Sequence, residues 1–129
     1  MSQPFSVEWS DGIRKVTSDD AVRSLLRELH RKFAEHPELV DIVAPSGAVL
    51  TVGLGAKAAV LSYAESPERP PYYASHGSGA GDGTIWFDYH GSPSEFPVEQ
   101  AVTVSDAVSA ADEFCKTGSR PTTVEWESV

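Results

Sequence analysis

Alternation of apolar and polar residues predicts a hairpin near the start of the chain. Phe5, Val7 and Trp9 alternate with polar residues, which places three large apolar side chains on one face of a strand. Asp11-Gly12 predicts a tight turn, because this pair tolerates the positive φ angles of a two-residue hairpin loop. Residues 13–16 then return as the second strand.

Two later segments show the 3.6-residue period of an amphipathic helix. Thr17 and Asp20 come close to a capping box and predict the start of the first helix, and Pro37 predicts its end. Ser105 predicts the cap of the second helix, and Gly118 predicts its stop. The apolar stripes of the two helices are Val22, Leu25, Leu26, Leu29 and Phe33, then Ala107, Val108, Ala111, Phe114 and Cys115.

Between these helices the chain breaks into short apolar segments separated by turn residues. The segments are Leu39–Ala44, Ala48–Leu54, Lys57–Tyr63, Tyr72–Ser75 and Thr84–His90. Turns such as Pro45-Ser46-Gly47 and Gly55-Ala56 are too short for the crossover that parallel strands need, so consecutive strands are predicted to be antiparallel. Glu65–Pro71 and His76–Gly83 are rich in proline or glycine and predict exposed loops.

Together these elements predict an α+β fold. A final strand follows the second helix, since Val124 and Trp126 alternate with polar residues. The sequence contains no repeat, low-complexity tract or linker. We therefore expect a single domain over residues 1–129, a mainly antiparallel sheet (a meander) with two helices packed on one face.

The net charge of the chain limits the classes of partner that it is expected to bind. The 129 residues carry a net charge of -9, with a pI near 4.7, and an acidic surface repels nucleic-acid phosphates. Cys115 is the single cysteine, and the sequence has no signal-peptide pattern. Its apolar runs are far shorter than the ~20 residues that span a bilayer. We expect a cytoplasmic protein that binds neither nucleic acid nor a membrane.

Motifs for catalysis or metal binding are missing from the sequence. The candidate ligands His30, His36, His76, His90 and Cys115 lack zinc-site spacing. The glycine-rich run over residues 76–83 lacks the lysine and helix of a phosphate loop, and Ser78 lacks the frame of a nucleophile elbow. We therefore expect that the protein is not an enzyme and that it binds no metal and no cofactor. One alternative stays open, because Asp88 and His90 share a face of their predicted strand and could pair as acid and base.

The predicted strand Thr84–His90 is the main candidate for a binding surface. Ile85, Phe87 and Tyr89 are predicted to face the core, while Trp86 lies on the opposite face. A solvent-facing Trp is the type of anchor that protein interfaces favour. The alternatives are that a helix covers this face or that nearby loop tyrosines pack against Trp86.

Negative charge is concentrated on and after this strand. Residues 1–81 carry 10 acidic and 8 basic residues, a net charge of -2, whereas residues 82–129 carry 9 acidic and 2 basic, a net charge of -7. Acidity beside exposed aromatic residues predicts a basic partner, because complementary fields raise the association rate. The predicted contact residues are Tyr72, Tyr73, Trp86, Asp88, His90, Glu95 and Glu99.

The end of the chain carries a pattern that is similar to one in a known family. The pattern is Ala107-x-x-x-Ala111-x-x-Phe114-x-x-Thr117-Gly118-x-Arg120-Pro121-x-x-Val124-x-Trp126, preceded by Ser94-Glu95-Phe96-Pro97 and Val104. It resembles the ending of the immunity protein 1 family of bacterial polymorphic toxin systems. The order of the predicted elements upstream is compatible with that resemblance over most of the chain.

The resemblance implies a small, non-catalytic cytosolic protein that binds and neutralises a toxin domain delivered between bacterial cells. Toxins encoded beside this family include nucleic-acid deaminases and nucleases, whose clefts tend to be basic so as to hold phosphates. Stoichiometric occlusion of such a toxin is the implied mechanism. The residues leave open a small-molecule-binding or catalytic cleft near Asp88 and His90, and also a homo-oligomeric structural protein, so the choice between monomer and homodimer stays open.

Overall fold

The computed structural model describes residues 3–17, 19–77 and 83–129, which form two helices and one nine-stranded sheet. In chain order the elements are β1 Phe5–Trp9, β2 Gly12–Val16, α1 Asp19–Lys32, β3 Glu38–Val43, β4 Val49–Leu54, β5 Leu61–Ala64, β6 Tyr72–His76, β7 Thr84–Tyr89, β8 Ser92–Pro97, α2 Val104–Thr117 and β9 Glu125–Ser128. A single 3₁₀ turn, Val98–Gln100, precedes α2.

Seven of the strands form one continuous antiparallel path. Their order across the sheet is β2-β1-β3-β4-β5-β6-β9, and β7 and β8 form a hairpin that branches from this path. The hairpin meets β3 in parallel at Glu38 and Asp88, where the Asp88 amide donates to the Pro37 carbonyl at 2.8 Å. The predicted α+β class and mainly antiparallel sheet are confirmed.

Both helices pack on the same face of the sheet and build the main core. All five residues of the predicted α1 stripe are buried, and Phe114 of α2 is completely buried. The Phe114 ring meets Phe5 and Tyr63 edge-on, with ring centroids 5.4 and 5.9 Å away. Burial of each such side chain contributes about 1.5–3 kcal/mol of stability, so this aromatic cluster fixes α2 on the sheet.

The two helices are also joined by charge. Arg23 Nη2 of α1 donates to Asp112 Oδ2 of α2 at 2.9 Å, and Lys116 Nζ lies 3.5 Å from the same oxygen. Asp112 is only 6% exposed, so these two cations offset the cost of burying its charge. Neither described helix is long and apolar enough to cross a membrane.

Several predicted boundaries were wrong. The cap of α2 is Thr103 rather than Ser105, because the Thr103 hydroxyl accepts the Asp106 amide at 3.0 Å. The segment Lys57–Tyr63 becomes a strand only at Leu61, because Gly55, at φ 103°, turns the chain against the Phe33 backbone. Helix α1 ends at Lys32, before Pro37, and Gly118 ends α2 as predicted.

Strand β8 and the predicted loops complete the comparison with the sequence. The strand Ser92–Pro97 was missed because its two prolines read as a break. Ser18, which lies between the predicted cap Thr17 and the start of α1, and residues 78–82 of the predicted glycine-rich loop, Ser78 included, lie outside the described residues. The loop Glu65–Pro71 is exposed at all but one position, as expected.

Candidate partner-binding site

The β7–β8 hairpin lies across the face of the sheet that the helices leave open. On that face Phe87 forms a second, small apolar cluster with Leu39 and Val60. Its ring rests directly on Gly53, where an added Cβ would lie 2.8 Å from Phe87 Cζ. Ile85 completes the packing from the same strand. The hairpin is therefore held by its own cluster, separate from the helix-covered core.

The outer surface of the hairpin presents Trp86 to solvent. Trp86 is 53% exposed, so of the alternatives that the sequence left open the structure shows the solvent-facing one. Glu95 lies opposite Trp86 in the β7–β8 register and is exposed. Glu99, in the following 3₁₀ turn, is also exposed. We call Trp86, Glu95 and Glu99 the hairpin surface.

Asp88 and His90 do not form the predicted strand pair. Strand β7 ends at Tyr89, and His90 has a φ of 50° within the turn, where its ring contacts Tyr89 at a centroid distance of 4.5 Å. Asp88 Oδ2 accepts the Gly91 amide at 2.9 Å and so stabilises the turn. The prediction of a shared face is wrong because the chain reverses one residue earlier than the apolar pattern indicated.

Beside the hairpin tip, the open sheet face forms a groove of about 450 Å³. Its floor comes from outward-facing residues of β3, β4 and β5, and its sides include Tyr89 and Tyr72. We call this the sheet groove, and its main lining residues are Asp41, Val43, Val49, Thr51, Ser62, Ala64, Tyr72 and Tyr89. The structure thus places a site next to the predicted strand that the sequence did not indicate.

Asp41 is the polar centre of the sheet groove. Its Oδ2 accepts the Tyr89 hydroxyl at 2.7 Å, and its Oδ1 accepts the Thr51 hydroxyl at 2.6 Å. The hydrogen bond to Asp41, with burial and the charges of Asp41 and Glu8, raises the pKa of Tyr89 to about 12. Tyr89 therefore stays protonated and donates to Asp41 throughout the neutral pH range.

The two predicted contact tyrosines face opposite sides of the sheet. Tyr72 lies in the sheet groove, and its hydroxyl donates to the Pro67 carbonyl at 3.1 Å. Tyr73 packs on the helix side, with its ring centroid 6.5 Å from that of Tyr63 and the Arg120 guanidinium 4.3 Å above it. The structure thus brings Tyr72 toward the hairpin tip, whereas Tyr73 borders the groove but packs its ring on the helix side of the sheet.

A second cavity, of about 640 Å³, lies between the end of β6 and the start of α2. Its lining includes His76, Asp106 and Glu125, and His76 Nδ1 lies 3.6 Å from Glu127 Oε2. Asp88 and His90 line neither this cavity nor the sheet groove. Across the described parts of the chain, no three His, Cys, Asp or Glu residues are grouped so as to hold a metal ion.

Sequence reasoning missed Asp41, Thr51 and the true position of Tyr89. Tyr89 was expected to face the core, yet its side chain is 38% exposed and reaches Asp41 across the sheet. A signal was present, since Asp41 and Thr51 are polar residues inside otherwise apolar strands. That pattern marks an uncovered sheet face, but only the strand register shows that the two residues are neighbours.

An α+β fold with an exposed Trp86 and an uncovered sheet face is compatible with a binding protein. The sequence profile of a family of immunity proteins matches residues 11–128 of the chain. The chain therefore belongs to the family of immunity protein Imm1, as the C-terminal pattern indicated. Membership implies a toxin as partner. No curated protein gives a significant match to the chain.

Proposed function

We propose that this immunity protein neutralises its cognate toxin by stoichiometric binding, with the hairpin surface covering the toxin's active-site cleft. The observation that carries the proposal is Trp86, which is 53% exposed and lies across the hairpin from Glu95. A large exposed indole held on a fixed strand loses little conformational freedom on binding and removes much apolar area from water. It is therefore suited to anchor an interface.

The charge around this anchor favours a basic toxin surface. Glu95 and Glu99 are exposed, and residues 82–129 have a net charge of -7. Toxins that act on nucleic acids, such as deaminases and nucleases, need a basic cleft to hold phosphates. An acidic hairpin is complementary in charge to such a cleft, and in that position it would exclude the substrate from the same surface.

The experiment is to co-express the chain with the toxin domain encoded directly upstream and to purify the pair. We expect a one-to-one complex by light scattering, with toxin activity that falls linearly to zero at one equivalent of the chain. Trp86→Ala should shift that titration to higher concentrations, whereas Ser24→Ala, on the exposed side of α1, should leave it unchanged. Catalytic modification or degradation of the toxin by the chain would contradict stoichiometric neutralisation. Complete inhibition at far less than one equivalent of the chain would contradict it as well.

A further inference from the structure

The sheet groove has a regular arrangement of side chains that the hairpin surface does not explain. Strand register places six residues in one row across the open face: Glu8, Asp41, Thr51, Ser62, Ala74 and Glu127. Carboxylates lie toward both ends of this row, and small uncharged side chains lie at its centre. Three of these residues, Asp41, Thr51 and Ser62, line the sheet groove, where Asp41 supplies a negative charge.

A second row beside it is apolar. Val43, Val49, Ala64 and Tyr72 are paired in that order across β3, β4, β5 and β6. Val43 and Val49 are only half-buried, although they face the groove from adjacent central strands. A ligand that fits the groove therefore has a cationic group along the first row and an apolar group along the second.

Asp41 retains the capacity to bind a cation. It accepts one hydrogen bond at each oxygen, from Thr51 and Tyr89, whereas an ionised carboxylate has about four acceptor sites. Both donors are neutral hydroxyls, so they orient the carboxylate without cancelling its charge. Among the described residues that line the groove, Asp41 is the one charged side chain.

We propose that the sheet groove receives an arginine side chain from a protruding segment of the toxin, with its guanidinium on Asp41. Arginine fits better than lysine, because its planar group pairs with a carboxylate through two hydrogen bonds and stacks on the rings of Tyr72 and Tyr89. The apolar residues flanking that arginine would contact Val43 and Val49. The proposal rests on the proposed function and extends the toxin contact from the hairpin surface around the hairpin tip.

The test fills the groove with a cation from the chain itself. Ser62 lies two strands from Asp41 in the same row, so Ser62→Arg places a guanidinium in the sheet groove. We expect the affinity for the toxin to fall by about 30-fold or more, because the arginine of the chain prevents the toxin's arginine from pairing with Asp41. Losses of this size are typical when a buried charge pair is broken. Ser24→Arg adds the same side chain on the exposed side of α1 and should change affinity less than about threefold.

A second variant removes the charge with little change in size. Asp41→Asn should also weaken binding by about 30-fold, chiefly through faster dissociation. Asp20→Asn, at an exposed position of α1, is its control. If Ser62→Arg fails to fold by circular dichroism, Asp41→Asn decides the question alone.

The possible results separate this inference from the proposed function. If the wild type binds the toxin while Ser62→Arg and Asp41→Asn bind equally well, the groove inference is overturned and the immunity function stands. If the wild type does not bind the toxin, the proposed function fails. A concentration-dependent dimer that Ser62→Arg abolishes, with toxin affinity unchanged, would show that a second copy of the chain occupies the groove and would overturn the inference.

Discussion

The Tyr89 hydroxyl donates to Asp41 Oδ2 at 2.7 Å, and this contact connects the tip of the hairpin to a central strand of the sheet. The two residues are 48 positions apart in sequence. Beyond the Phe87 cluster, the hairpin also meets the sheet through the short parallel pairing of Asp88 with Glu38. The contact therefore fixes the position of the turn and one side of the sheet groove together.

The raised pKa of Tyr89 predicts how this contact responds to pH. The folded-state pKa of about 12 lies above the ordinary value of 10.0, so folding favours the protonated phenol. Its stabilising effect is fully present below about pH 10 and is lost as the pH rises toward 12. We expect wild-type stability in urea to fall more steeply over that interval than that of Tyr89→Phe. Parallel pH profiles would contradict an ordering role for the hydrogen bond.

Adjacent residues of β7 should separate binding from folding. Phe87→Ala removes a buried ring from the small cluster and should lower the free energy of unfolding by about 3–5 kcal/mol. Trp86→Ala should change stability by less than about 0.5 kcal/mol but weaken toxin binding by about 2 kcal/mol. Urea unfolding and calorimetric titration measure the two effects. Equal stability losses for the two variants would mean that Trp86 is part of the fold.

Charge reversal tests the acidic part of the hairpin surface. Glu95→Lys with Glu99→Lys should slow association with the toxin by about 10-fold at low salt, and the difference should shrink as salt is added. Glu28→Lys with Glu35→Lys makes the same change in net charge on and just after α1, at exposed positions. Stopped-flow rates at several salt concentrations give the comparison. If both pairs slow association equally, net charge rather than the hairpin accounts for the effect.

The close approach of Phe87 to Gly53 predicts a further effect. Gly53→Ala adds a Cβ that would lie 2.8 Å from the ring, so the ring must move, and we expect a loss of about 1–3 kcal/mol of stability. Phe87→Leu combined with Gly53→Ala should recover part of that loss, because the smaller side chain leaves room. Hydrogen exchange should show faster opening of β7 and β8 in the single variant. Additive losses in the double variant would exclude the steric explanation.

The sequence was sufficient for elements whose apolar period is clean. The α1 stripe from Val22 to Phe33 and the strand from Phe5 to Trp9 have a local signal, and the structure buries them as predicted, with Phe5 partly exposed. The strand Ser92–Pro97 carried no such signal, because its two prolines and its polar residues resemble a loop. It becomes a strand only because β7 supplies its hydrogen-bond partner.

The candidate site was predicted less completely, for a related reason. Alternation within a single strand predicted that Trp86 faces away from Phe87, but the exposure of that face was known only from the structure. The sheet groove depends instead on which strands are neighbours and on where the hairpin crosses them, so Asp41 and Tyr89 could not be paired from the sequence. His90 shows the limit of alternation itself, since a turn at positive φ removed it from the expected face.

The separation of the two apolar clusters has a consequence for how such a protein can change. The helix-covered cluster contains most of the buried side chains, whereas the hairpin is held by Leu39, Val60 and Phe87 with a few partly buried neighbours. Substitutions at Trp86 or Glu95 alter neither cluster. On the proposed hairpin surface, a new binding specificity can therefore arise one residue at a time while the remainder of the chain keeps its stability.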